Sequence, residues 1–137
     1  MKMNELRVGN FYINDLGDVA QVLEIEGGGV VGDTTEYGKF TDENLIKPVK
    51  LTEEWLFKFG FKKSSDSLHY CESSYHILDD GFNVLFTIEY WNSGKWRNHW
   101  YQKYNLKPQT NKLKYVHQLQ NLYFALTGEE LTDRGLK

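Results

Sequence analysis

Three glycines in the segment GGGVVG have the spacing of a phosphate-binding loop. Gly27, Gly29 and Gly32 fit the pattern G-x-G-x-x-G and directly follow the strand-like run VAQVLEIE. In a dinucleotide site, such glycines open a helix whose N-terminus receives the pyrophosphate. The residues that follow, DTTEYGKF, are polar and β-branched and are interrupted by Gly38, so no helix is expected there. The segment therefore favours a glycine-rich hairpin over a nucleotide site.

Two histidines and a cysteine could be metal ligands. His69 and Cys71 share one face of a predicted strand, and His76 follows a few residues later. Structural zinc normally takes four ligands in paired spacings, and the chain has a single cysteine. We therefore predict no metal site and no cofactor, with Cys71 as a free thiol.

Acid–base and nucleophilic chemistry have equally little support. Asp79 and Asp80 are adjacent, so on a strand they would face opposite ways, and they fit better in the turn before Gly81. Pairing Cys71 with His117 as nucleophile and base rests on the two residue types alone. The sequence contains no catalytic motif, and we expect the protein not to be an enzyme.

The length and composition indicate a small folded protein. The chain has 137 residues, enough for one domain or for two very small units, and it includes four Trp, nine Tyr and eight Phe. The first ten residues, MKMNELRVGN, lack the apolar run of a signal peptide, and a lone cysteine forms no internal disulfide. No apolar stretch approaches the roughly 20 residues that span a bilayer. We therefore predict a cytoplasmic protein with no membrane contact.

The two halves of the chain differ in charge and in pattern. Residues 1–54 contain five Lys or Arg and eleven Asp or Glu, a balance of −6, whereas the remainder contains eleven and eight, a balance of +3. In the first half, short β-branched runs alternate with glycine-rich turns. This pattern predicts an SH3-like β-barrel or a small curled sheet over residues 1–50.

A short helix should begin after residue 51. Thr52 is a suitable N-cap, and Glu53 and Glu54 favour the positive end of a helix dipole. Gly60 should end the helix, with Phe61 folding back on Leu56 in a Schellman arrangement.

Beyond this helix, the runs SLHYCESSYHIL, FNVLFTIEYW and KWRNHWYQKY predict an antiparallel meander. A connector over residues 106–111 and a C-terminal helix complete the chain. We predict an α+β fold, in which residues 51–137 form a second subdomain of helix, antiparallel strands and C-terminal helix.

One strand of the predicted meander is basic and aromatic. Residues 90–114 contain six Lys or Arg and no acid. Trp96 and Trp100 should face one side of the strand, and cations beside an aromatic ring should face the other. This combination suits single-stranded nucleic acid, although a solvated sheet face is the alternative. The candidate nucleic-acid-binding residues are Lys95, Arg97, His99, Tyr101 and Lys103.

The predicted C-terminal helix, YVHQLQNLYFAL, contains no charged residue. Its apolar positions gather into a normal core arc: Tyr115, Val116, Leu119, Leu122, Tyr123 and Leu126. A second side of the helix carries amides and an aromatic ring and should be half buried. This side packs either on the N-terminal sheet or on another protein, and a homodimer seam is one form of the second alternative. The candidate partner-binding residues are His117, Gln120, Asn121 and Phe124.

Three segments carry a family resemblance. MKMNELRVGNFY, KPVKLTEEWLFKFGF and YVHQLQNLYFALTGEEL resemble the opening, middle and closing parts of a family of small uncharacterised proteins from gut Bacteroides-type bacteria, their phages and mobile elements. The resemblance covers about a third of the chain and carries over no functional residue. It implies a cytoplasmic accessory protein that binds a host or phage component. We therefore expect a protein-interaction module or, alternatively, a nucleic-acid-binding protein.

Overall fold

The structure, a computed structural model, describes residues 3–33, 39–63, 73–78, 84–91, 95–101 and 106–133. The chain divides into unit 1, Met1–Lys50 with Tyr115–Leu131, and unit 2, Leu51–Lys114 with Thr132–Lys137. In the described residues each unit combines an antiparallel sheet with an α-helix, so the fold is α+β. No helix within these ranges is long and apolar enough to cross a membrane.

Unit 1 contains a curled four-stranded sheet. Its strands are antiparallel and follow chain order: β1 (Phe11–Ile13), β2 (Val19–Glu26), β3 (Gly29–Gly32) and β4 (Lys39–Asp42). The β2–β3 register shifts between Val22 and Glu24. Such a bulge bends its strand and increases the twist, which curls the sheet into a half-barrel.

The glycine-rich segment forms the tight turn between β2 and β3. Gly27 and Gly28 form the turn, and Gly29 begins β3, so the predicted hairpin is confirmed and no helix opens there. Gly32 is required for packing, because a Cβ at this position would overlap the hydroxyl of buried Tyr12. The ring of Tyr12 belongs to the core inside the curl, with Leu6, Ala20, Val22, Val30 and Ile46.

After β4 the chain returns to the first strand. A 3-10 turn over Glu43–Leu45 follows Asp42, whose side chain accepts a hydrogen bond from the backbone N–H of Asn44. Lys47 then pairs antiparallel with Ile13, with N···O distances of 2.8 and 3.0 Å. This pairing covers part of the open edge of β1.

Helix α2 (Val116–Thr127) belongs to unit 1 and ends at Gly128, where φ is +77°. Its first N–H, that of Val116, donates to the carbonyl of Val49 at 2.9 Å. The predicted core arc is buried at Val116, Leu119 and Tyr123. The helix forms a compact unit with residues 1–50 and not, as predicted, with residues 51–137, and its hydrogen bond to Val49 lies within that unit.

Unit 2 begins with helix α1 (Glu53–Lys58). The predicted Schellman ending is confirmed: Gly60 has a φ of +90°, and the N–H of Phe61 donates to the carbonyl of Leu56 at 2.9 Å. Thr52 occupies the N-cap position, but its side chain makes no capping hydrogen bond.

The sheet of unit 2 has five antiparallel strands in chain order: β5 (Lys62–Lys63), β6 (Ser73–Leu78), β7 (Val84–Trp91), β8 (Lys95–Tyr101) and β9 (Leu106–Leu113). The predicted connector at residues 106–111 is therefore wrong. Its residues form the edge strand β9, where Pro108 is tolerated because an edge strand leaves backbone N–H positions unpaired. Tyr75 and Ile88 are register partners and both are buried, so they mark the buried face of this sheet.

Candidate functional site

Gln120 on helix α2 takes the place of a neighbouring strand at the edge of β1. Its Oε1 accepts from the N–H of Phe11 at 2.9 Å, and its Nε2 donates to the carbonyl of Gly9 at 2.8 Å. An added β-strand would engage the same backbone donor and acceptor. Gln120 is 0% exposed, so it is a core residue of unit 1 and not part of a contact surface.

Asn121 extends this polar packing to the N-terminal segment. Its Oδ1 accepts from Arg7 Nε at 2.8 Å and from Asn10 Nδ2 at 2.9 Å, and its Nδ2 donates to the carbonyl of Glu5 at 2.9 Å. The guanidinium of Arg7 also pairs with Glu130 at 2.6 Å. These contacts join the N-terminal segment and the residues after helix α2 to Asn121 of that helix.

His117 is buried on the same helix and is 1% exposed. Burial lowers the pKa of the imidazole, and the carboxylate of Glu5, 3.7 Å from Nε2, partly opposes this shift. The ring stacks on Tyr115 with an interplanar angle of 9°. A neutral imidazole packed in this way is a structural group, and His117 offers no surface to a partner.

Phe124 is the most exposed of the four candidates on this side of helix α2, with 40% of its surface accessible. The guanidinium carbon of Arg7 lies 4.3 Å from the ring centroid and covers part of one face. The structure therefore brings the four candidates of this helix together, but it uses His117, Gln120 and Asn121 to hold unit 1 together. Of the two alternatives considered, packing on the N-terminal segment is the one observed.

The basic aromatic strand is β8, and its residues have defined register positions. Glu89 on β7 is opposite Arg97, Thr87 is opposite His99, and Trp91 is opposite Lys95. These positions alternate with Ile88, which marks the buried face. The candidates Lys95, Arg97, His99 and Tyr101 thus share the other face of the sheet, whereas Lys103 lies outside the described residues.

The register also places an acid beside this basic row. Glu89 and Arg97 occupy opposing register positions on adjacent antiparallel strands. Lys62 on β5 is opposite His76 on β6 and adds a cation at the edge of the same sheet. The register positions on this face therefore include an acid, Glu89, which lies outside residues 90–114.

The outer face of the curled sheet in unit 1 carries a row of apolar residues that the sequence interpretation missed. Val31 on β3 is the register partner of both Glu24 on β2 and Phe40 on β4. Leu23, the extra residue of the bulge, lies beside Glu24. Leu23 is 50% exposed and Phe40 is 44% exposed. We call Leu23, Val31 and Phe40 the outer apolar row.

Acidic residues flank the outer apolar row. Glu24 lies beside Leu23 and opposite Val31, and the next register row contains Glu26, Gly29 and Asp42. The ring of Phe40 lies over Gly29, since a Cβ there would meet its Cζ at 2.7 Å. The face therefore combines exposed apolar residues with neighbouring carboxylates.

A signal for this face is present in the sequence. Val22–Leu23 and Val30–Val31 are consecutive apolar pairs within strands. Because successive strand residues point to opposite faces, a sheet with one solvated face alternates apolar and polar residues. Adjacent apolar residues in two neighbouring strands indicate that both faces are apolar.

No metal or catalytic centre emerges from the described part of the chain. Within it, no group of three or more His, Cys, Asp or Glu side chains could hold a metal ion. His69, Cys71, Asp79 and Asp80, which were weighed for such roles, lie outside the described residues.

Comparisons with known proteins do not assign this geometry to a known group. No protein-family model, curated protein or solved structure matches the chain. Function therefore has to be inferred from the surfaces described above.

Proposed function

We propose that this protein is a non-enzymatic interaction module that binds another protein through the outer apolar row of unit 1. The observation that carries the proposal is the exposure of Leu23 and Phe40 on one face of a small sheet, on either side of Val31. Isolated apolar side chains on a surface are ordinary, but a row across three adjacent strands is typical of an interaction site.

We further propose that unit 1 is an SH3-like barrel. The 3-10 turn over Glu43–Leu45 and the pairing of Lys47 with Ile13 support this assignment, because they bring a fifth segment back to the first strand. The family resemblance supports a cytoplasmic setting in which the module is an accessory protein of a phage or mobile element.

Affinity capture with a paired variant tests the proposed function. The protein and its Leu23→Ser/Phe40→Ser variant are used as baits in host lysate, with and without nuclease, and recovered proteins are identified by mass spectrometry. Both positions are exposed, so the variant should remain folded, while specific partners should be lost. Recovery of the same partners by both baits would refute the proposal.

A second candidate function is nucleic-acid binding on the face of the unit 2 sheet opposite Ile88. The register supports it, because Lys95, Arg97 and His99 share the face opposite Ile88. Cations on such a face neutralise phosphates and release counterions, so affinity should fall steeply as salt increases.

The test compares single-stranded RNA and DNA binding by the parent and a Lys95→Gln/Arg97→Gln variant. Glutamine is preferable to glutamate, because a glutamate at position 97 would be directly opposite Glu89. We expect weaker binding and a shallower salt dependence for the variant. Binding insensitive to salt, or no binding at about 50 mM salt, would exclude this function.

A further inference from the structure

We infer that the partner of the outer apolar row is a basic, extended peptide segment in which Lys or Arg lies beside aliphatic residues. The inference rests on the proposed function and specifies the chemistry of the occupant. It follows from the acidic margin of the face, the charge of unit 1 and the spacing of the carboxylates.

The carboxylates lie at the positions that a basic segment would contact. Glu24 is next to Leu23 and is the register partner of Val31, while Glu26 and Asp42 flank Gly29 in the adjoining row. A basic peptide that packs on the apolar residues would therefore have its Lys or Arg side chains beside these carboxylates. Such charges at the margin of an interface contribute specificity and a faster association rate.

The charge of unit 1 favours the same occupant. Met1–Lys50 with Tyr115–Leu131 contains five Lys or Arg and eleven Asp or Glu, a balance of −6. Among the described residues, no cation forms an ion pair with Glu24, Glu26 or Asp42. An acidic partner would be repelled from this face, and a neutral apolar partner would leave the carboxylates at its margin without cations.

The spacing favours an extended segment. Glu24 and Glu26 are two residues apart on β2, about 6.6 Å along the strand, which is also the repeat of side chains on one side of an extended peptide.

The probe is a synthetic octapeptide with Leu, Lys, Lys and Leu at alternate positions and Ser between them. Two matched peptides replace Lys by Glu or Leu by Ser. Binding to the full chain is followed by NMR chemical-shift changes, which also report the location. We expect the Lys–Leu peptide to shift residues of β2, β3 and β4, and both matched peptides to bind at least about tenfold more weakly.

Two variants separate the local carboxylates from the overall charge. Glu24→Gln/Glu26→Gln should raise the Kd of the Lys–Leu peptide by about three- to tenfold at low salt, and about 0.5 M NaCl should remove most of this difference. Asp18→Asn/Glu129→Gln removes the same charge from exposed positions elsewhere in unit 1 and should change the Kd by less than about twofold.

Three outcomes of the peptide experiments would overturn the inference: equal binding of the Glu–Leu peptide, equal effects of the two double variants, or no binding of the Lys–Leu peptide to the outer apolar row. None of these outcomes would refute the interaction module, which is tested by capture with the Leu23→Ser/Phe40→Ser variant. A captured partner that contacts this row through an acidic or uncharged segment would overturn the inference alone.

Discussion

Replacing Gln120 by methionine tests how helix α2 is held to the edge of β1. Methionine has nearly the same length and a similar helix propensity, so changes in packing and propensity should be small. The buried N–H of Phe11 would lose its acceptor, at a cost of about 1–3 kcal/mol. The carbonyl of Gly9 would keep its second donor, Gln21 Nε2 at 2.8 Å, so losing the hydrogen bond from Gln120 should cost about 0.5–1 kcal/mol.

The expected decrease in the free energy of unfolding is therefore about 2–4 kcal/mol. With an m value of about 2 kcal/mol/M, the urea midpoint should fall by about 1–2 M. Far-UV circular dichroism is the appropriate probe, because all four Trp residues lie in Leu51–Lys114 and their fluorescence reports unit 2. Gln118→Met makes the same chemical change on a half-buried position of the helix and should cost no more than about 1 kcal/mol.

A Gln120→Glu variant adds a test by pH. Its ionised carboxylate can accept from Phe11 but cannot donate to Gly9, and burial should raise its pKa above the unfolded value of about 4.3. The free energy of unfolding of Gln120→Glu should therefore be furthest below that of the parent near neutral pH, and the difference should decrease as the pH falls and the carboxylate becomes protonated. If Gln120→Met is as stable as Gln118→Met, the amide does not hold the helix to β1.

Three further changes give distinct results. The parent should lose stability in acid, because burial lowers the folded-state pKa of His117. Its free energy of unfolding should fall by up to about 1.4 kcal/mol per pH unit below about pH 6.5, and His117→Leu should remove this fall. Equal pH dependence of the two proteins in urea titrations would contradict this. Tyr75→Phe should raise the pKa of Glu53, which is lowered chiefly by the Tyr75 hydrogen bond, and an NMR titration in which it does not move would contradict this. Gly32→Ala should lower the free energy of unfolding by about 2 kcal/mol, measured by thermal or urea unfolding. Adding Tyr12→Phe should recover part of this loss, because the overlapping hydroxyl is removed. Losses that are additive in the double variant would contradict the proposed clash.

Local signals in the sequence predicted local structure well. The end of helix α1 followed from Gly60 and Phe61, because a left-handed residue and the amide that follows it satisfy the last carbonyls of a helix whatever the rest of the fold does. The hairpin at Gly27 and Gly28 followed in the same way from turn chemistry.

Long-range pairing could not be predicted in this way. The absence of charge on helix α2 indicated that a second side was covered, but Gln120 and its acceptor Gly9 are 111 positions apart. Helical periodicity shows which residues share a side of a helix, but it does not show which other segment of the chain packs against that side. The apolar arc therefore predicted correctly that Val116 and Leu119 are buried, whereas the assignment of the helix to the second half of the chain was wrong.

The outer apolar row was missed for a related reason. The run that contains Val22 and Leu23 predicts a strand, but strand propensity alone does not indicate that both of its faces are apolar. The bulge at Leu23 keeps Glu24 on the outer face as well, and a bulge has no reliable signature in a single sequence.

Hydrogen–deuterium exchange on the complex with a captured partner tests the proposed function most directly. If the outer apolar row is the docking surface, added partner should slow exchange in peptides covering β2, β3 and β4 and leave β8 unchanged. The Leu23→Ser/Phe40→Ser variant should show no such protection at the same partner concentration. Protection confined to β8, or protection of β2–β4 that persists in the variant, would contradict the proposed surface.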